Sequence, residues 1–103
     1  MVVELTHWRR DQPPMRSRLD VIVRQSGLSP SWWSNGPGDL YAAHSHSYNK
    51  VLFCAEGTII FHIEPEDADH ELRPGDRLDI SRGTSHSAIV GPTGVTCVEA
   101  RAN

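Results

Sequence analysis

The chain has 103 residues, of which 38% are hydrophobic, and its formal net charge at pH 7 is −3. A chain of this length forms one domain and buries roughly 65% of its unfolded surface. Its 10 basic residues are scattered, which excludes the clustered positive charge of a nucleic-acid-binding protein. No stretch approaches the roughly 18 consecutive apolar residues of a membrane span, so a membrane protein is excluded as well.

The N-terminal segment lacks the apolar core of a signal peptide, so a cytoplasmic location is expected. Cys54 and Cys97 each lie in an apolar run that is typical of a strand. In the cytoplasm, both are expected to be reduced residues of the core.

Seven prolines and eight glycines interrupt the chain so often that strands are predicted almost throughout. Residues 1–18 are expected to form an extended arm with one short strand at Val2–Leu5, and residues 19–103 to form a β-barrel domain. The pattern from Leu19 to Arg24 predicts a strand that ends at a turn. Further strands are predicted at Ser31–Ser34, Tyr41–His46, Val51–Ala55, Thr58–Ile63, Arg77–Ile80, Thr84–Val90 and Val95–Arg101. Many short strands split by Gly/Pro turns indicate an all-β sandwich or barrel.

Two histidines stand two residues apart, at His44 and His46. On a helix, that spacing turns the side chains about 200° apart, so they cannot share one ligand. On a strand, residues i and i+2 face the same side, and their imidazoles can converge on one ion. A metal site at this pair therefore predicts a strand.

The segment around these histidines and a second segment downstream together resemble the two motifs of the cupin family. In the first motif, G-x5-H-x-H-x3(or 4)-E-x6-G, the residues at the marked positions are Gly38, His44, His46, Lys50 and Gly57. In the second, G-x5-P-x-G-x2-H-x3-N, they are Gly75, Ser81, Gly83, His86 and Val90. Lys50, Ser81 and Val90 depart from the motifs, and the other seven positions match at the family's spacing. The resemblance implies a small double-sheet jelly-roll barrel with one internal metal site.

In the resembling family, the positions of His44, His46 and His86 ligate iron, manganese, nickel, copper or zinc. Three neutral imidazoles can hold such a divalent ion and leave positions open for a substrate. The alternative is that the histidines remain in a site that no longer binds metal.

Lys50 stands where the family has its fourth ligand, a glutamate, and it is the only lysine of the chain. An ammonium group cannot coordinate a metal and repels a divalent ion at short range. Lys50 is therefore a candidate catalytic residue with three open alternatives: it is neutral and acts as a base or ligand, it is charged and holds an anion, or it excludes the metal. A fourth alternative places it in a turn with its charge in solvent.

Three further residues are candidates for substrate binding. Tyr41 and Tyr48 flank the histidine pair, where their hydroxyl groups can hydrogen-bond a substrate or simply pack as aromatic side chains. His62 is either a partly buried strand residue or part of the pocket lining. Of the adjacent pair Trp32 and Trp33, one is expected in the core and the other at the barrel mouth or a dimer interface.

The leading hypothesis is a metal-binding, dimeric cupin that acts on a small polar molecule as an oxygenase, a lyase or an isomerase. Some cupin-type dioxygenases use three histidines without the glutamate, and this chain resembles them in that respect. A second hypothesis is a metal-free module that binds a sugar or small organic acid through Lys50. A third is a structural domain that binds a protein partner. A homodimer and a small-molecule ligand are expected as partners, with no nucleic acid and no membrane.

Overall fold

The computed structural model describes residues 3–103, and in this range it contains one α-helix, one short 3-10 helix at Glu64–Glu66 and seven strands. The helix, α1, is Arg16–Gln25. The strands are β1 (Val3–Thr6), β2 (Ser31–Asn35), β3 (Leu40–His44), β4 (Asn49–Ile63), β5 (Ala68–Leu72), β6 (Arg77–Ile80) and β7 (His86–Ala102). No helix in this part of the chain is long and apolar enough to cross a membrane.

The two long strands β4 and β7 organise the sheet, because each pairs with different neighbours at its two ends. Along their common length they run antiparallel, with Lys50 opposite Arg101 and Ile63 opposite His86. The first half of β4 also pairs with β6 and the second half with β5, while β7 pairs with β3 and then with β2. β1 completes the sheet beside β6. The predicted all-β jelly roll is confirmed.

The prediction of two separate strands at Val51–Ala55 and Thr58–Ile63 was wrong, because both lie in the continuous strand β4, which bends between them through two register shifts. Gly57 has a φ of +73°, which the bend requires. Residues 91–94, between the predicted strands Thr84–Val90 and Val95–Arg101, likewise lie within β7 as the extra residues of an irregularity. Gly/Pro signals therefore mark bends inside long strands here.

The prediction of a strand from Leu19 to Arg24 was also wrong, since this segment lies in α1. Leu19 and Val23 are 0% and 2% exposed, and Ile22 is partly buried beside them, which is the i, i+3, i+4 spacing of a helix face. An ion pair of 2.8 Å between Arg24 and Asp20 joins one turn to the next. The β-branched residues of this segment are typical of a strand, but the helical spacing of its apolar residues determines the structure.

Two apolar clusters lie on opposite faces of the first half of β4. Leu52 and Cys54 face the barrel interior, whereas Val51, Phe53 and Ala55 face α1. The helix therefore covers the outer face of the strand, so that residues 51–55 are buried on both faces. Both cysteines are free and buried, as expected.

Most of the N-terminal segment is part of the same structure. β1 covers most of the strand predicted at Val2–Leu5, although Val2 lies outside the described residues. Asp76, which is 5% exposed, accepts hydrogen bonds from the backbone N–H groups of Trp8 and Arg73. A boundary between residues 18 and 19 would fall inside α1, and the division into arm and barrel stays a prediction.

Candidate metal centre

Three histidines from three parts of the fold converge at one end of the barrel. His44 is the last residue of β3, His86 is the first residue of β7, and His46 lies in the connection to β4. Each residue offers a ligand atom, and these atoms all lie within 4.8 Å of one another. The strand predicted at Tyr41–His46 ends earlier than expected, yet the rings of His44 and His46 still meet, 4.9 Å apart between centroids.

Backbone carbonyl groups orient two of the three imidazole rings. Nδ1 of His44 lies 2.8 Å from the carbonyl oxygen of Ala42, and Nδ1 of His86 lies 3.0 Å from that of Thr84. Because a carbonyl only accepts, each Nδ1 carries the proton, which leaves the lone pair of Nε2 free for a ligand. A hydrogen bond of this kind from the second ring nitrogen is a regular feature of metal-binding histidines.

One further observation supports a metal ion at these donor atoms. Nε2 of His46 and Nε2 of His86 are buried and have no hydrogen-bond partner in the described part of the chain. A buried nitrogen without a partner is costly, and a metal ion at this point would satisfy both atoms. Imidazole nitrogen suits zinc, copper, iron and nickel, so the donor set does not select among them.

Burial favours the neutral form of His46 and His86, which is the form that binds metal. Removal from water lowers the pKa of His46, and the positive charge of Lys50 lowers it further. Burial is also the main cause that lowers the pKa of His86. Both rings are therefore ready to coordinate at neutral pH without first losing a proton.

A cavity of about 160 Å³ adjoins the histidines, and Lys50 lies in its wall. Lys50 is 8% exposed, and its Nζ atom lies 3.1 Å from Oε1 of Glu99 on β7. The same oxygen accepts a 2.8 Å hydrogen bond from the indole Nε1–H of Trp33. The cavity is lined by Trp33, Tyr41, His44, Lys50, Phe61, His86 and Glu99.

Comparisons with known proteins identify the fold through solved structures. No family model and no curated protein matches the chain. Among solved structures, a cupin-2 domain protein from Shewanella frigidimarina is 16% identical, with a TM-score of 0.62 over 74% of this chain and 71% of its own. KdgF from a Halomonas species is 18% identical, with a TM-score of 0.61 over 74% of this chain and 70% of its own. The polyketide cyclase RemF from Streptomyces resistomycificus is 19% identical, with a TM-score of 0.64 over 74% and 55%.

This chain has the cupin fold. The cupin motif histidines are accordingly His44 at the end of β3, His46 in the connection that follows, and His86 at the start of β7. Lys50, at the position of the cupin glutamate, faces the barrel interior alongside Leu52 and is not in a solvent-exposed turn.

The predicted substrate-binding residues are distributed over different surfaces. Tyr41 lines the cavity, and its hydroxyl group donates a hydrogen bond to Asn35. Tyr48 packs against the ring of His46, but it lines a larger outer cleft, where Arg101 lies 4.2 Å from its ring centroid. The structure does not bring His62 to the cavity, because this residue faces outward on β4 and contacts Asp69.

The sequence prediction missed Glu99, although a signal was present. Glu99 is the only charged residue between positions 95 and 100, and the residues around it are buried. Glu99 lies two residues after Cys97, so on a strand both side chains point to the interior face.

The adjacent tryptophans were expected to face opposite sides. Trp33 lines the cavity, whereas Trp32 packs beside α1 and donates a hydrogen bond to Asp20.

Proposed function

We propose that this protein binds one divalent transition metal through His44, His46 and His86 and acts on a small molecule in the adjoining cavity. The observation that carries the proposal is the pair of buried Nε2 atoms without partners, on rings that converge within 4.8 Å. When bound, such a metal supplies Lewis-acid polarisation of a substrate oxygen atom.

The chain's own residues contribute position and shelter. The rings of Trp33, Tyr41 and Phe61 form an apolar wall that holds a small substrate against the histidines and excludes water. The pair of Lys50 and Glu99 places a hydrogen-bond donor and an acceptor in the same cavity. The reaction classes that suit this arrangement are those predicted above: an oxygenase, a lyase or an isomerase.

The test of metal binding uses His86→Ala with His62→Ala as the matched control, because His62 lies on the outer face of the same barrel. With Zn²⁺ or Co²⁺ added to metal-free protein, we expect the natural sequence and His62→Ala to bind one ion and His86→Ala to lose affinity at least tenfold. Equal affinity in all three proteins would refute the site.

The reaction is tested with the iron-loaded protein. The oxygenase version predicts oxygen consumption with a diketone, thiol or phenolic substrate, and its loss in His86→Ala. If none of these substrates causes oxygen uptake, the oxygenase version is excluded. The lyase and isomerase versions are then tested by product analysis under nitrogen.

Metal-free binding of a sugar or small organic acid is the second candidate function. It is supported by the position of Lys50, which is buried in the cavity wall beside the histidines. This function predicts that Lys50→Ala abolishes ligand binding while His86→Ala changes it little. Retained binding in Lys50→Ala would exclude it.

The predicted homodimer is supported by an apolar patch on the outer face of the sheet. Leu40 and Ile89 face each other across β3 and β7, and they are 76% and 44% exposed. Burial of such a patch stabilises association. We expect a dimer in sedimentation experiments and a monomer for Leu40→Asp.

A further inference from the structure

Glu99 lies on β7, next to β4, the strand on which Lys50 occupies the position of the cupin glutamate. The carboxylate of Glu99 faces the interior of the barrel. Glu99 is the register partner of Leu52, which is fully buried, so its side chain projects to the interior face of the sheet. Lys50 and Trp33 both contact its Oε1 atom. Oε2 takes part in neither contact, and Glu99 lines the cavity and the outer cleft alike.

In the metal-free protein, the Lys50–Glu99 ion pair gives the cavity wall no net charge, whereas a divalent ion bound to the histidines would add two positive charges beside it. Lys50 contributes one positive charge and Glu99 one negative charge, their atoms 3.1 Å apart, while the aromatic walls contribute none. A carboxylate that enters must either draw Lys50 away from Glu99 or lie beside another carboxylate, and both arrangements are unfavourable. A hydroxyl group meets no such obstacle, because it can donate a hydrogen bond to Glu99 directly.

We propose that in the metal-free cavity the Lys50–Glu99 pair selects ligands by charge, admitting small uncharged molecules that carry a hydroxyl group on a flat, apolar frame and rejecting carboxylates, the organic acids of the second candidate function included. This inference rests on the proposed function in one respect, namely that the cavity is the substrate site. The cavity volume of about 160 Å³ is well below the roughly 300–1,000 Å³ of pockets for drug-sized ligands, which favours a substrate of about one ring. The three aromatic side chains in the wall favour such a ring.

Phenol and benzoate are the probes, because both carry one ring and they differ in charge and in the ability to donate a hydrogen bond. Their binding to metal-free protein is followed through the indole N–H signal of Trp33 by NMR. We expect the natural sequence to bind phenol about tenfold more tightly than benzoate. Because no metal is present, the result does not depend on metal binding; failure of the proposed function would appear instead as absence of metal affinity.

The decisive variant is Glu99→Gln, which keeps the shape of the side chain and leaves the charge of Lys50 unbalanced. We expect this variant to bind benzoate at least tenfold more tightly than the natural sequence does, so that the preference reverses. The matched control is Glu56→Gln, since Glu56 lies on the same sheet but pairs with Arg16 on the outside. The control is expected to keep the natural preference for phenol.

Lys50→Met supplies a second test that does not rely on the folding of Glu99→Gln. It leaves the carboxylate of Glu99 in place, so benzoate binding should fall below detection while phenol binding remains. A natural protein that prefers benzoate, a natural protein that binds no phenol up to its solubility limit, or a preference unchanged in both variants would overturn the proposal.

Discussion

His44 and His86 are register partners across the antiparallel strands β3 and β7, and their ring centroids lie 4.4 Å apart. Cross-strand partners of this kind are held by the sheet itself, because the backbone hydrogen bonds of both strands fix the positions of their Cβ atoms. Two of the three proposed ligands therefore need no loop to bring them together. His46, two residues beyond the end of β3, completes the set with its ring centroid 5.4 Å from that of His86.

The stability of the metal-free protein should depend on pH through these histidines. Burial lowers the pKa of His46 and His86 in the folded state below the usual value of about 6.5. Below pH 6.5 the unfolded chain therefore binds protons that the folded protein does not, and the free energy of unfolding falls as the pH falls toward the lowered values. Each histidine changes the free energy of unfolding by at most about 1.4 kcal/mol per pH unit. Urea unfolding between pH 5 and 8, with a chelator present, measures it.

His62 provides a control with the opposite sign. The hydrogen bond to Asp69 raises the pKa of His62, so its contribution to stability is complete below pH 6.5 and is lost as the pH rises through the raised value. His86→Gln should therefore flatten the acid side of the profile, whereas His62→Gln should flatten the neutral side. An unchanged acid side in His86→Gln would contradict the burial argument.

Gly57 and Gly38 stand at the two ends of the first cupin motif, and they should respond very differently to alanine. Both have a φ of +73°, so each substitution introduces the same backbone strain, about 1–2 kcal/mol. At Gly57, however, a Cβ atom would meet the carbonyl oxygen of Gly94, which belongs to the facing strand, whereas nothing lies within 4 Å of a Cβ at Gly38. We expect Gly38→Ala to fold with that modest loss and Gly57→Ala to lose more than about 4 kcal/mol or fail to fold. Similar stability of the two variants in thermal unfolding would contradict this account.

Asp76 should be the main residue that holds the segment after β1 to the barrel. Its carboxylate accepts the backbone N–H groups of Trp8 at 2.9 Å and Arg73 at 3.0 Å, and Asp76→Ala leaves both without an acceptor. We expect a loss of about 2–3 kcal/mol in urea unfolding and faster proteolysis near Trp8. The control is Asp79→Ala, which removes a partly exposed ion pair with Arg77 and should cost at most about 1 kcal/mol. Equal losses in the two variants would argue against the role of Asp76.

The sequence predicted the strands and the convergent histidines well, because both depend on local patterns. Turn signals bounded the regions of β2 and β6, and the i, i+2 spacing of His44 and His46 predicted the strand β3. The α1 segment was mistaken because its apolar residues are β-branched. The spacing of Leu19, Ile22 and Val23 is nevertheless that of a helix face.

The continuity of β4 and β7 could not be read from local signals. A glycine inside a strand and a glycine in a turn have the same sequence signature, and only the pairing of the two long strands distinguishes them. The environment of Lys50 was hidden for a related reason. Its partner Glu99 is 49 residues away in the chain, and the register that brings them together belongs to the assembled sheet.

The most direct test of the metal centre is the metal content of the protein purified without added metal and without an affinity tag, measured beside Lys50→Glu. Because Glu99 balances the charge of Lys50, we expect near-stoichiometric metal in the natural sequence as well as in the variant. Protein that is empty in its natural form and fills only as Lys50→Glu would contradict the account, since Lys50 would then exclude the ion.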